Sequence, residues 1–171
     1  MKIIFMDIDD VSNSDRLIAS CTDFDDAISP PVRVPRRGDP VVIALFNRAC
    51  EVTGAQVVVS STWLDAVGWD YTRDWLLASG FEGRHFHDHS RIVFGPGAGK
   101  REGIIDWLKQ HPKISADRIC VVDDDPNIFT RSHPLRTRQV VVDGPDGLLL
   151  SHFRAIVQKL GKAKKEEPVI P

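Results

Sequence analysis

The chain has 171 residues, room for one domain with a sizeable core, and its 42% hydrophobic and 27% charged composition is that of an ordinary globular protein. A formal net charge of −2 excludes the whole-surface attraction for nucleic acid that a strongly basic domain has, so any such contact must be local. No apolar run approaches the ~20 residues of a membrane span, and Cys21, Cys50 and Cys120 lack metal-site spacing.

The cysteines are an odd number, and the first apolar run follows Met1 almost at once, leaving no room for a secretory leader. Both features fit a reducing compartment, and the expectation is a cytoplasmic protein with Cys50 and Cys120 as core thiols.

Ile3, Ile4, Phe5 and Met6 have the pattern of a strand buried on both faces of a parallel sheet. The run ends in three carboxylates, Asp7, Asp9 and Asp10. Like charges so close need a cation, a hydrogen-bond network or a proton to settle them. At the carboxyl end of a strand, where open α/β sheets bind ligands, such a pair could supply a nucleophile and an acid/base.

An irregular stretch follows over 12–38, with Arg33, Arg36 and Arg37 near its end. A loop that long in a compact domain suggests either a flap over the acidic strand end or a surface insertion. Asp39 reads as an N-cap before Pro40, opening a helix over 40–53 that Gly54 stops. The run 55–59 is a second buried strand, ending in Ser60, Ser61, Thr62 and Trp63. Hydroxyls at such a strand end can bond a phosphate oxygen, with backbone N–H groups in the turn assisting.

A helix is expected over 69–79, with Trp75, Leu76 and Phe81 in the core. His85, His87 and His89 alternate, but with Arg84, Asp88 and Arg91 around them a solvated loop is expected rather than a structural metal. The glycines before Lys100 do not have P-loop spacing, and Arg101 stands where that motif needs a hydroxyl. Lys100 opens a helix over 100–110, the end a helix dipole makes unfavourable for a cation, so an acidic partner is implied.

A third buried strand over 118–122 again ends in carboxylates, Asp123, Asp124 and Asp125. A strand over 140–142 and an amphipathic helix over 148–160 complete the pattern, and a frayed tail is expected over 161–171. Strand and helix alternate, which implies right-handed crossovers and a three-layer Rossmann-like α/β fold, a parallel sheet with helices on both faces. Asp7, Asp9, Ser60, Lys100, Asp123 and Asp124 then open on one edge. So many carboxylates with one lysine call for a hard divalent cation, and Mg²⁺ suits a site open to phosphate.

These residues resemble the four motifs of the haloacid dehalogenase superfamily of phosphohydrolases, in order over residues 3–126. The layout is most similar to the small domains of that superfamily found in RNA-repair proteins. The resemblance implies Asp7 as nucleophile and Asp9 as acid/base. It implies Ser60 and the Ser61 backbone as phosphate ligands, with Lys100 neutralising charge between nucleophile and phosphate. Asp124, Asp7 and the Asp9 carbonyl would hold Mg²⁺, with Asp123 assisting. The pattern usually has glycine where Asp10 stands. The larger cap domains are absent and only 12–38 could serve as one, which favours macromolecular or extended substrates.

The expectation is one such domain over 1–160, a Mg²⁺-dependent phosphomonoester hydrolase working through an aspartyl-phosphate. Its substrate would be a phosphorylated small molecule, a nucleotide or a nucleic-acid end, with no membrane and no obligate protein partner. The alternatives are a non-catalytic phosphate- or nucleic-acid-end-binding module on the same fold, and a phosphotransferase.

Overall fold

The computed structural model describes residues 1–25, 34–142 and 145–163. Five strands form one all-parallel sheet in the order β3-β2-β1-β4-β5. They are β1 (Lys2–Met6), β2 (Ala55–Val59), β3 (Phe86–Arg91), β4 (Ile119–Asp123) and β5 (Gln139–Val141). The helices are α1 (Asp15–Ser20), α2 (Pro40–Thr53), α3 (Trp63–Ala66), α4 (Trp69–Ala78), α5 (Lys100–Gln110) and α6 (Leu150–Leu160).

Strand alternation sorts the core onto the two faces of the sheet. Ile4 and Met6 of β1, Val57 and Val59 of β2, and Cys120 and Val122 of β4 face α2, α4 and α6, through Phe46, Trp75, Leu76 and Ile156. Ile3 and Phe5, Val58, and Ile119 and Val121 face the other way, onto Ile104 and Trp107 of α5. Both faces are therefore covered, as the continuous apolar runs require. Cys50 and Cys120 are buried, as expected.

The local signals for α2 hold. The Asp39 side chain accepts from the N–H groups of Val41 and Val42, Pro40 takes the first turn, and Gly54 ends the helix at φ +68°.

Three expectations need correction. The stretch 12–38 is not irregular throughout. Val11, Ser12, Asn13 and Ser14 are buried, and Ser14 caps α1 by accepting from the Leu17 N–H. Phe24 and Pro35 form an antiparallel bridge, flanked by Asp25 N–H to Val34 C=O at 2.8 Å and Arg36 N–H to Asp23 C=O at 3.1 Å. Residues 23–25 and 34–36 are thus two paired arms, the base of the expected flap. The segment 26–33 between them, Arg33 included, lies outside the described residues.

The histidine segment is the second correction. Gly83–His85 is a 3₁₀ turn and 86–91 is the edge strand β3, with His85 and His87 buried. An edge strand tolerates charged and polar residues that a central strand does not, so its composition resembles a loop. Third, the chain does not fray at 161. The Lys2 ammonium donates to the carbonyls of Gly161 and Lys162, and the Ala163 N–H bonds the Val52 carbonyl at 2.8 Å. Residues 164–171 lie outside the described residues.

Candidate active site

Register sets the level of the site. Met6 pairs with Val59 on one side and with Val122 on the other. The next residues, Asp7, Ser60 and Asp123, therefore leave the three central strands at one height. Alternation also gives them one face, that of Ile3, Phe5, Val58 and Val121, against which α5 packs. Lys100, the first residue of α5, is thereby brought to them.

The Lys100 ammonium lies between two carboxylates, donating to Asp7 Oδ2 at 2.6 Å and to Asp123 Oδ2 at 2.6 Å. The acidic partner implied by a cation at a helix N-terminus is this pair. The remaining oxygens are also held: Asp7 Oδ1 accepts from the Ile8 N–H and Asp123 Oδ1 from the Asp125 N–H. Burial above all, with Asp123 adding to it, pushes the Asp7 carboxyl up to about 7 against the opposing pull of Lys100. Burial raises Asp123 as well, again against Lys100. Burial works against the Lys100 charge, but the two carboxylates outweigh it and keep its pKa above the ordinary value.

Three carboxylates, those of Asp7, Asp123 and Asp124, bring oxygens within 4.8 Å of one another. One ammonium cannot balance them, and an all-oxygen donor set of this size fits a hard divalent cation. Asp9 belongs to a different environment. Its Oδ1 accepts from the Trp63 indole N–H at 2.8 Å and from the Asn13 side-chain amide at 3.3 Å.

Ser60 and Ser61 are both fully buried, and they differ in use. Ser61 Oγ accepts from the Trp63 N–H at 3.3 Å and so starts α3. Ser60 Oγ has no hydrogen-bond partner among the described residues. A buried hydroxyl without such a partner, at the strand end level with Asp7, is the kind of group a phosphate oxygen would satisfy.

A second cluster able to hold a metal, Glu51, Glu82 and His85, contains neither His87 nor His89. It lies at the start of β3, the end of the sheet opposite Asp7. Its carboxylates are already engaged: Glu51 pairs with Arg48 at 2.8 Å and Arg84 at 3.3 Å, and Arg84 also bonds Glu82.

The structure thus brings Asp7, Ser60, Lys100, Asp123 and Asp124 together, with Asp9 beside them. Sequence reasoning missed Trp63 and Asn13 as members of the site. Trp63 follows the Ser60–Thr62 stretch directly, but an indole by its size signals core packing, and only the direction of its N–H shows otherwise.

A five-stranded parallel sheet with a carboxylate-rich carboxyl edge is the architecture of a haloacid-dehalogenase-type domain. Residues 3–153 match the family described as the HAD domain in Swiss Army Knife RNA repair proteins, and the chain belongs to that family. No curated protein and no solved structure matches the chain. Among the described residues, no helix is long and apolar enough to cross a membrane.

Proposed function

We propose that the protein is a Mg²⁺-dependent phosphomonoesterase that works through an aspartyl-phosphate. The observation that carries this reading is the Lys100 ammonium held between Asp7 and Asp123, with the buried Ser60 hydroxyl, unpartnered among the described residues, leaving β2 level with Asp7.

In this reading an oxygen of Asp7 attacks phosphorus, and the bond to the leaving oxygen breaks. Asp9 gives that oxygen its proton. Water then attacks the phosphorus of the Asp7 acyl phosphate and passes a proton to Asp9, and the Asp7 oxygen–phosphorus bond breaks to release inorganic phosphate and the carboxylate. Splitting the displacement in two lets one carboxylate serve both halves. Ser60 and the backbone of Ser61 orient the phosphate, and Lys100 neutralises charge on its oxygens. Asp7, Asp123, Asp124 and the Asp9 carbonyl would hold Mg²⁺, which when bound offsets the charge of the transferring group.

The family description and the small flap support a phosphorylated nucleic-acid end as substrate. With only the stretch 12–38 to stand for a cap domain, an extended molecule is favoured over a small enclosed one.

Replacing Asp7 by Asn keeps the shape and removes the nucleophile. Turnover of an aryl phosphate with Mg²⁺ should fall roughly 10³-fold or more, with the circular dichroism unchanged. A chelator should abolish wild-type turnover. Wild-type rates in Asp7→Asn would refute the mechanism. Tight phosphate binding without turnover at any pH would instead indicate a binding module. A panel of 3′- and 5′-phosphorylated oligonucleotides set against phosphorylated metabolites tests the substrate class.

A further inference from the structure

The Asp9 carboxylate is gripped by one oxygen. Oδ1 accepts the Trp63 indole N–H at 2.8 Å and the Asn13 amide at 3.3 Å, and no donor among the described residues reaches Oδ2. An indole N–H can only donate, and neither it nor a carboxamide titrates in the working range. An oxygen already receiving two donors is a poor place for a proton, so the proton of a neutral Asp9 belongs on Oδ2. The two donors therefore decide which oxygen can carry a proton to a leaving group.

Trp63 is itself fixed. It is 4% exposed, its ring meets Trp75 edge-on at 4.9 Å, and Tyr71 lies 6.4 Å away. Trp75 donates its indole N–H to the Pro35 carbonyl at 2.7 Å, and the Tyr71 hydroxyl donates to Asp25 Oδ2 at 2.7 Å. Both aromatic neighbours are thus pinned to the arms of the flap. The Trp63 backbone N–H is anchored in turn on Ser61 Oγ, in the turn that carries the phosphate-binding serines.

We propose that Trp63 is a positioning residue that holds the Asp9 carboxyl by Oδ1, so that Oδ2 alone delivers the proton to the leaving oxygen. This rests on the phosphomonoesterase reading. Its consequence is an asymmetry between substrates. An alkoxide leaves poorly without a proton, whereas a nitrophenolate leaves without one. Loss of the Trp63 N–H should therefore slow alkyl phosphates selectively.

The test compares wild type and Trp63→Phe on glycerol 2-phosphate and 4-nitrophenyl phosphate with Mg²⁺. The quantity compared is kcat/KM, which covers the steps through departure of the leaving group. The expected result is a loss of about 10-fold or more on the alkyl phosphate and within about 3-fold on the aryl phosphate, since general acid catalysis supplies rate only where the leaving group needs it. Asp9→Asn should show the same asymmetry, larger.

Because Trp63→Phe also thins the packing on Trp75, benzothienylalanine placed at position 63 serves as a second variant. It replaces the N–H by sulfur at nearly constant shape. Equal losses on both substrates in that isosteric variant would overturn the proposal and leave Trp63 a packing residue; no loss on either would overturn it too. A wild-type protein that hydrolyses neither of these nor any phosphorylated oligonucleotide or metabolite of the panel would overturn the phosphomonoesterase reading, and with it any role for Trp63 in proton delivery.

Discussion

Asp10 has a backbone φ of +54°, in the left-handed region where a Cβ crowds the next carbonyl oxygen. Only glycine enters that region freely, with Asn and Asp the usual exceptions. Partial burial raises the Asp10 carboxyl pKa, and Asp124, Asp15 and Asp9 add to the rise by repulsion. Backbone and charge thus both work against this residue. Asp10→Gly should stabilise the protein by about 0.5–1 kcal/mol, the relief of strain exceeding the extra chain entropy of glycine. Asp10→Asn keeps the left-handed tolerance and removes the charge, so it isolates the electrostatic share. Urea denaturation without divalent cations measures both, and a Gly variant less stable than wild type would show that the Asp10 side chain helps the fold. The glycine-for-aspartate departure is visible in the sequence; the positive φ behind it is not. The same holds across the site. Asp7, Ser60, Asp123 and Asp124 stand out because polar residues end apolar runs, and Lys100 because it opposes a helix dipole. Trp63 and Asn13 carry no such contrast.

At the scale of elements, strands buried on both faces and capped helices are legible because their signals are local. Apolar runs ending in Asp7, Ser60 and Asp123, and the Asp39–Pro40 start of α2, need no knowledge of the rest of the chain. β3 and the flap are different. β3 is an edge strand whose His, Asp and Ser residues match no apolar pattern, and the arms at 23–25 and 34–36 pair across a gap of sequence. What holds those arms in place is equally non-local: Tyr71 and Trp75 of α4 reach Asp25 and Pro35. Burial, followed by the bond to Asp25 and its charge, pushes the Tyr71 phenol pKa up, so the hydroxyl stays a donor. Tyr71→Phe removes that one bond and should weaken the base of the flap by about 1 kcal/mol. Hydrogen exchange at the Asp25 and Arg36 amides, which bond Val34 and Asp23, should then accelerate about 5-fold while the sheet amides keep their protection. Unchanged protection at those two amides would mean that the Tyr71 bond does not hold the arms together. Arg36 is drawn into the same base, 2.8 Å from Asp23, so it has a structural partner before any phosphate arrives.

For the whole molecule, the strand order puts β1 in the centre and β3 at an edge, so groups that titrate at one edge act on the fold apart from the carboxylate cluster around Asp7. His85 and His87 are buried at that edge, and burial holds both below the ordinary histidine pKa. His85 also feels repulsion from Arg84, countered by Glu82 and Glu51. His87 faces Trp107 of α5 and His111 just past its end, with Asp88 and His89 on its own strand. A histidine with a lowered folded pKa binds its proton more readily in the unfolded chain. Its contribution is full above the unfolded value of about 6.5 and is lost as pH falls toward the folded one. Asp7 and Asp123 act in the opposite sense. Their raised carboxyls take up protons in the fold before the unfolded chain does, and so favour the fold as pH falls. The wild-type slope is therefore a difference, and the histidine part must be separated by substitution. Nδ1 of His87 accepts the His89 N–H at 2.9 Å, a role the Gln amide oxygen can take over. His87→Gln should accordingly cost little at pH ~7.5, and should lose less stability than wild type between about pH 7 and pH 5, measured by urea midpoint. Parallel curves for the two proteins would show that the imidazole keeps its ordinary affinity for protons within the fold.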